Sequence, residues 1–129
     1  MDGILTVEGF DPALAEGLML LTPFSADAED DLTKNFVAKY QQAYGEIPNQ
    51  FAADAYDVAY AIYAACTEAG VTGDMSAADI CEAMIAQFTT MSFDGVTGQG
   101  MTWAEDGAVS KLPMAVRIEN GVYVGVDYE

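Results

Sequence analysis

Residues 114–126 read MAVRIENGVYVGV, and this stretch decides the kind of fold that the chain can form. Two runs rich in β-branched residues flank Asn120-Gly121, a dipeptide typical of a tight β-hairpin turn. We therefore predict a hairpin with strands at 114–119 and 122–126, in which Ile118 lies opposite Tyr123. Both faces of this hairpin carry apolar side chains, so it needs cover on each side or a neighbouring strand.

The sequence before the hairpin predicts three helices, because apolar side chains recur there at helical spacing. Their ranges are about 28–44, 50–69 and 76–88. Asn49 is a suitable cap for the second helix, and Ser76 with Asp79 forms a capping-box-like pair at the third. The second helix is apolar almost all round, so we expect it to be buried on more than one side.

Shorter elements surround the helices. Asp11-Pro12 predicts a brief helical turn. The apolar run Leu18–Leu21, ended by Pro23, predicts a buried strand, and Met101–Trp103 predicts a short strand between glycine turns. The fold class is therefore α/β. One buried strand and a terminal hairpin make a thin sheet for such apolar helices, so we expect the chain to be part of a larger fold.

The charge of the chain disfavours two classes of function. The 129 residues include 21 acidic and only 4 basic side chains, which gives a formal net charge of -17. Binding to nucleic acid or to anionic lipid needs Lys and Arg to displace counterions, so neither a nucleic-acid nor a membrane-surface role is expected.

Catalytic and metal-binding motifs are missing from the sequence. There is no His, and no GxSxG, HExxH or phosphate-binding loop occurs. Composition alone leaves a glycosidase-like pair of carboxylates open, but no pair stands out. The acidic run 29–31 lacks the alternating ligands of a calcium loop and suits the start of a helix instead. We therefore predict no catalytic residues, no metal site and no enzymatic activity.

The two cysteines, Cys66 and Cys81, have neither a CxxC nor a zinc spacing. We expect them to be small buried residues on two helices, and a disulfide between them stays open. No apolar run approaches the length that spans a bilayer. No secretion signal is present either, so the signal of an exported parent protein is expected upstream of Met1.

Short motifs follow one another along essentially the whole chain in a specific order. They are Asp2-Gly3, Phe10-Asp11-Pro12, Leu21-Thr22-Pro23-Phe24, Asn35-Phe36-Val37, Phe51-Ala52-Ala53-Asp54-Ala55-Tyr56-Asp57 and Phe93-Asp94-Gly95-Val96-Thr97-Gly98. No single motif is decisive, but the ordered series resembles the branched-chain amino acid (Leu/Ile/Val-type) binding proteins of ATP-driven importers, which have the type I periplasmic-binding fold.

The resemblance implies that the chain is the C-terminal fragment of a two-lobe solute-binding protein. Elements at about 1–20 and 114–129 would belong to the second lobe, and those at about 28–110 to the first lobe. The chain would cross between the lobes near Leu21–Phe24 and again near Lys111–Pro113. The fold would be a partial type I periplasmic-binding lobe, and we expect self-association to complete it, with the strand or hairpin exchanged between copies.

Three ligand-binding residues follow from the same resemblance. Asp2 matches the acidic residue that accepts hydrogen bonds from the α-ammonium group of the ligand, a charge-assisted contact. Gly3 would let the backbone approach the ligand closely. Phe51 matches the aromatic residue that closes over the ligand side chain. No cofactor is implied, and the residues that would hold the ligand carboxylate lie upstream of the chain.

The function implied is the extracytoplasmic substrate-binding component of an ABC importer, which captures a small amino acid of the branched-chain type and presents it to a membrane permease. The location would be periplasmic or extracellular, with lipid anchoring as a further option. Two alternatives stay open. One is the ligand-binding domain of a receptor with the same fold, and the other is an acidic interaction module without a small ligand.

Overall fold

The structure is a computed structural model that describes residues 3–126. Two 3-10 turns, Ile4–Thr6 and Pro12–Ala15, come first, and three helices and five strands follow in the described part of the chain. These are β1 (Met19–Thr22), α1 (Asp31–Tyr44), α2 (Gln50–Glu68), α3 (Ala77–Phe88), β2 (Phe93–Gly95), β3 (Gly98–Met101), β4 (Met114–Glu119) and β5 (Val122–Val126). The predicted α/β class is confirmed.

One part of the fold, which we call the sheet module, comprises residues 10–22 and 114–126. Its three strands are antiparallel in the order β1-β4-β5. Ile118 is fully buried in β4 and lies opposite Tyr123, as predicted. The turn places Asn120 at φ 53 and Gly121 at φ 78, the left-handed conformations that a two-residue hairpin requires.

A second part of the fold, which we call the helical module, comprises residues 24–110. It contains α1, α2, α3 and the small hairpin β2–β3. Its core contains Phe24, Phe36, Ala53 and Val96, all buried. The ring of Phe36 lies 4.7 Å from that of Tyr56 and 5.8 Å from that of Phe24, measured between centroids. Phe24 lies two residues after the end of β1, so its ring anchors the segment that leaves the sheet in the core of the helices.

The helix boundaries follow from their caps. The side chain of Asp30 accepts a hydrogen bond from the amide of Thr33, so α1 begins at Asp31. The sequence had predicted a start at about residue 28. Asn49 caps α2 and Ser76 caps α3, both as predicted. These local signals are short-range hydrogen bonds, which is why the sequence alone identifies most of them.

Burial is where the predictions were wrong. The run containing β1 was expected to be buried, but Leu21 is 72% exposed, because alternate side chains of a strand point to opposite faces and no residue within 3–126 covers the face that carries Leu21. The helix α2 likewise keeps large apolar side chains in solvent: Phe51, Val58, Tyr60, Ile62 and Tyr63. Cys81 is exposed and Cys66 is half-buried, and both thiols are free.

The strand predicted at Met101–Trp103 is shifted. It spans Gly98–Met101 and pairs with β2, whereas Trp103 forms an isolated bridge with Val109. The ring of Trp103 packs edge-on against Phe88 at the end of α3, with 4.9 Å between centroids. Gly95, Gly98 and Gly100 therefore lie within the strands of the β2–β3 hairpin, and not in turns outside a strand as predicted.

Candidate functional site

The two modules are joined by two connections that run side by side. The first connection comprises residues 22–24, and the second comprises residues 111–113. Thr22 at the end of β1 lies opposite Met114 at the start of β4, so the chain leaves and re-enters the sheet at neighbouring positions. A cleft of about 250 Å³ opens between the connections and is lined by Leu21, Thr22, Pro23, Lys111, Leu112 and Pro113. The sequence predicted crossings at these two places, near Leu21–Phe24 and Lys111–Pro113.

Both connections contact the first turns of α2. The hydroxyl of Thr22 lies 2.9 Å from Oε1 of Gln50 and donates to it. The ammonium group of Lys111 donates to Oδ1 of Asp54 at 2.7 Å. Gln50 and Asp54 are four residues apart and so lie on the same face of the helix. The start of α2 is therefore the point at which both connections are fixed to the helical module.

Phe51 is the second residue of α2 and lies in this turn. Asn49 caps the helix by accepting the amide of Ala52, which sets the direction in which the first turn projects. The side chain of Phe51 is 59% exposed. A large aromatic ring left in solvent is an available contact surface for a small apolar group.

Gly3 lies in the first 3-10 turn, and Asp2 lies outside the described residues. Gly3 has φ 97, a conformation that favours glycine, and its carbonyl accepts the hydroxyl of Thr6 at 2.8 Å. Its hydrogen bonds are local, and among residues 3–126 none brings this turn to Phe51. No described hydrogen bond thus links Gly3 with Phe51, and the ligand roles of Asp2, Gly3 and Phe51 stay predictions.

Asp57 is a buried residue whose role the sequence reasoning missed. Its carboxylate accepts the amide of Val96 at 2.9 Å, the amide of Thr97 at 2.8 Å and the hydroxyl of Thr97 at 2.6 Å. A Cβ at Gly95 would overlap the same carboxyl group, so this backbone approaches the helix as closely as glycine allows. The sequence did contain a signal, because Asp57 is an acidic residue flanked by apolar residues in an apolar helix. A buried carboxylate in such a position needs hydrogen-bond donors from elsewhere in the fold.

The environment of α2 also affects Tyr56. Burial raises the pKa of this phenol above its usual value of 10.0, and its neighbours Tyr60 and Asp57 raise it further. Tyr56 is therefore neutral at physiological pH and serves the aromatic packing around Phe36.

A second, wider cleft of about 570 Å³ separates the modules on the side of β5. It is lined by Ser25, Asp27, Ala28, Glu29, Met114, Ala115, Gly125 and Val126. The carboxylate of Asp27 accepts the amide of Gly125 at 3.0 Å and the hydroxyl of Ser25. This contact occupies an amide of the edge strand β5 and ties the start of the helical module to the sheet module.

Within residues 3–126, no group of three or more His, Cys, Asp or Glu side chains is arranged to hold a metal ion. None of the helices over the same residues is long and apolar enough to cross a membrane.

Comparison with known proteins identifies the family. A family model described as periplasmic binding protein matches residues 3–121. No curated protein sequence gives a significant match. Among solved structures, a leucine-binding protein from Thermotoga maritima MSB8 is 25% identical with a TM-score of 0.68, and the alignment covers 88% of this chain and 31% of that protein.

Two further solved structures share the fold. A periplasmic ligand-binding protein of a branched-chain amino acid ABC transporter from Burkholderia xenovorans LB400 is 22% identical with a TM-score of 0.78, covering 96% of this chain and 33% of that protein. A solute-binding protein of an ABC transporter from R. palustris, in complex with benzoate, is 19% identical with a TM-score of 0.77, covering 98% and 32%.

The chain thus spans about a third of the length of these solved structures. The family model, in contrast, extends over nearly all of the chain, from the first 3-10 turn to the tip of the β4–β5 hairpin. The chain belongs to the periplasmic binding protein family.

Proposed function

We propose that the chain is the C-terminal part of an extracytoplasmic solute-binding protein of an ABC importer, and that the complete protein captures a small amino acid of the branched-chain type. The ligand is held between two lobes and passed to a membrane permease, with no chemistry done on it. Membership of the periplasmic binding protein family supports the general role, and the leucine-binding relative supports the ligand class.

The observation that carries the proposal is the position of Phe51. This residue is exposed in the first turn of α2, and its helix neighbours Gln50 and Asp54 contact the two connections between the modules. A cleft between two lobes must lie next to the segments that join them. Phe51 is therefore suitably located to close over an apolar ligand side chain.

The two modules correspond to the proposed lobes. The sheet module (residues 10–22 and 114–126) would belong to the second lobe, and the helical module (residues 24–110) to the first. Within residues 3–126, two connections join these modules, and such an arrangement suits a hinge. Asp2 and Gly3 would meet the ligand from the second lobe, with the carboxylate of Asp2 accepting from its ammonium group.

The isolated 129-residue chain is expected to self-associate. Its exposed apolar side chains on α2 and β1, among them Ile62, Tyr63 and Leu21, form faces that solvated monomers rarely leave open. In the complete protein, upstream residues would cover the same faces. Light scattering on the isolated chain should therefore give a mass above that of one copy, and a strictly monomeric chain would contradict this part of the proposal.

The ligand proposal is tested by calorimetric titration of the full-length protein with leucine, isoleucine, valine and benzoate. We expect binding of at least one aliphatic amino acid. Phe51→Ala should weaken it at least about tenfold, because a large apolar side chain buried against a ligand contributes about 1.5–3 kcal/mol. Asp2→Asn should also weaken binding of the amino acid, because it removes a charge-assisted hydrogen bond to the ammonium group.

Tyr63→Ala is the matched control. Tyr63 is also an aromatic residue of α2, 70% exposed in this chain, but it lies twelve residues, about 18 Å, further along the helix, on the face that upstream residues would cover. Its loss should leave the affinity unchanged. Equal effects of Phe51→Ala and Tyr63→Ala, or a protein that binds benzoate and no amino acid, would contradict the proposed ligand class and site.

A further inference from the structure

Lys111 stands out among the charged side chains of the molecule. It is one of only 4 basic residues in a chain with 21 acidic ones. It lies in the second connection, and it reaches across 57 positions of sequence to Asp54 in α2. With side chains only 25% and 38% exposed, this ion pair is less open to solvent than Lys34–Glu29 or Arg117–Glu119.

The location of the pair gives it a particular electrostatic character. Asp54 is the fifth residue of α2, near the positive end of the helix dipole. A lysine is unfavourable at a helix N-terminus unless an acid offsets its charge. Asp54 therefore determines whether Lys111 can stay against the helix, and removal of Asp54 leaves the ammonium group facing a positive field.

The pair also shares its helical turn with Phe51. Phe51 and Asp54 are three residues apart, so their side chains project from neighbouring positions of the helix surface. On the same face of the helix as Asp54, Gln50 accepts the hydroxyl of Thr22. The first connection and the second connection are thus held on the same short piece of α2 that carries Phe51.

We infer that Lys111 and Asp54 form a positioning pair that holds the second connection against α2 and so fixes the orientation of Phe51 relative to the sheet module. This role rests on the proposed function as far as ligand affinity is concerned, but its structural part does not. Once the pair is broken, the second connection samples more conformations in the ligand-free protein. Ligand binding must then restrict these conformations again, and this entropic cost weakens the affinity.

The test uses the full-length protein and two readouts. The first is amide hydrogen exchange of Ser110, which precedes Lys111 and donates its amide to the carbonyl of Thr102 at 2.9 Å; it is measured without ligand. Lys111→Met should speed this exchange about two- to fivefold, the range expected for loss of a partly exposed ion pair. Asp54→Asn should have the larger effect because Lys111 then faces the helix dipole.

The second readout is the dissociation constant of the amino acid at about 20 mM and about 500 mM salt. Lys111→Met should weaken binding about two- to fivefold at the lower salt and remove most of the salt dependence seen in the unaltered protein. Lys111→Arg should restore both exchange and affinity, because it keeps the charge. Lys39→Met removes the same charge from an exposed position of α1 and should change neither readout.

Unchanged exchange in Lys111→Met, or equal effects of Lys111→Met and Lys39→Met, would overturn the inference. Faster exchange with unaltered affinity would overturn the link to Phe51. If the unaltered protein binds no amino acid, the proposed function fails, while the exchange measurement still decides whether the pair holds the connection.

Discussion

Replacement of Asp57 should be the most damaging single change in the helical module. In Asp57→Ala, the amides of Val96 and Thr97 lose their acceptor while fixed in a buried hairpin, and the hydroxyl of Thr97 must find another partner. A buried donor left unsatisfied costs about 1–3 kcal/mol, so the two amides together give about 4 kcal/mol. This is a large part of the roughly 5–15 kcal/mol that stabilises a typical domain.

Asp57→Asn should cost about half as much, near 2 kcal/mol, because its amide oxygen can still accept from Thr97 while its NH₂ group faces the amide of Val96. The free energy of unfolding is measured by urea denaturation followed by circular dichroism, at one protein concentration because self-association would shift the midpoint. Asp74→Asn, in an exposed loop, is the control and should change stability by less than about 0.5 kcal/mol. A loss below about 1 kcal/mol for Asp57→Ala would refute the reasoning.

Three further predictions concern the sheet and the first helix. Ile118→Ala, at a fully buried position, should lower the free energy of unfolding by about 2–5 kcal/mol in the same urea assay. Gly121→Ala should cost about 1–2 kcal/mol, because φ is 78 at this turn position, and the thermal midpoint would reveal it. Asp30→Ala removes the cap of α1 and should cost about 1 kcal/mol at neutral pH. Burial acts to raise the pKa of Asp30, but hydrogen bonds from Thr33 outweigh it and hold the pKa below 3.8. The contribution of the charged cap is therefore present above pH 3.8 and lost as the pH falls through the lower folded-state value, where urea curves of the two proteins should converge.

The elements that the sequence predicted well are those defined by neighbouring residues. Asn120-Gly121 specifies its own turn, and the register Ile118–Tyr123 follows from it. Asn49 and Ser76 cap their helices through amides only three residues away. Such contacts depend on local backbone geometry, so no knowledge of the rest of the fold is needed.

What the sequence did not predict depends on distant residues. The hydrogen bonds of Asp57 reach 39 and 40 positions along the chain, and the Lys111–Asp54 pair reaches 57. The burial of β1 and α2 was predicted from apolar content, yet Leu21 and Phe51 remain exposed because no described residue covers them. Apolar content indicates that a surface needs cover, but it does not say which part of a protein supplies the cover.

The candidate site was predicted only in part. The structure has two connections near Leu21–Phe24 and Lys111–Pro113, where crossings between lobes were expected, and their role as lobe crossings stays a prediction. The ligand roles of Asp2, Gly3 and Phe51 came from a family resemblance and stay predictions. No residue pattern by itself could have indicated that both connections contact the first turns of α2, since this follows from the contacts of Thr22 and Lys111 with that helix.

The most direct test of the account is a crystal structure of the full-length protein bound to its tightest amino acid ligand. The account predicts the ligand between the two lobes, with its side chain in van der Waals contact with the ring of Phe51 and its ammonium group hydrogen-bonded to Asp2. A ligand bound elsewhere, with Phe51 and Asp2 both in solvent, would contradict it.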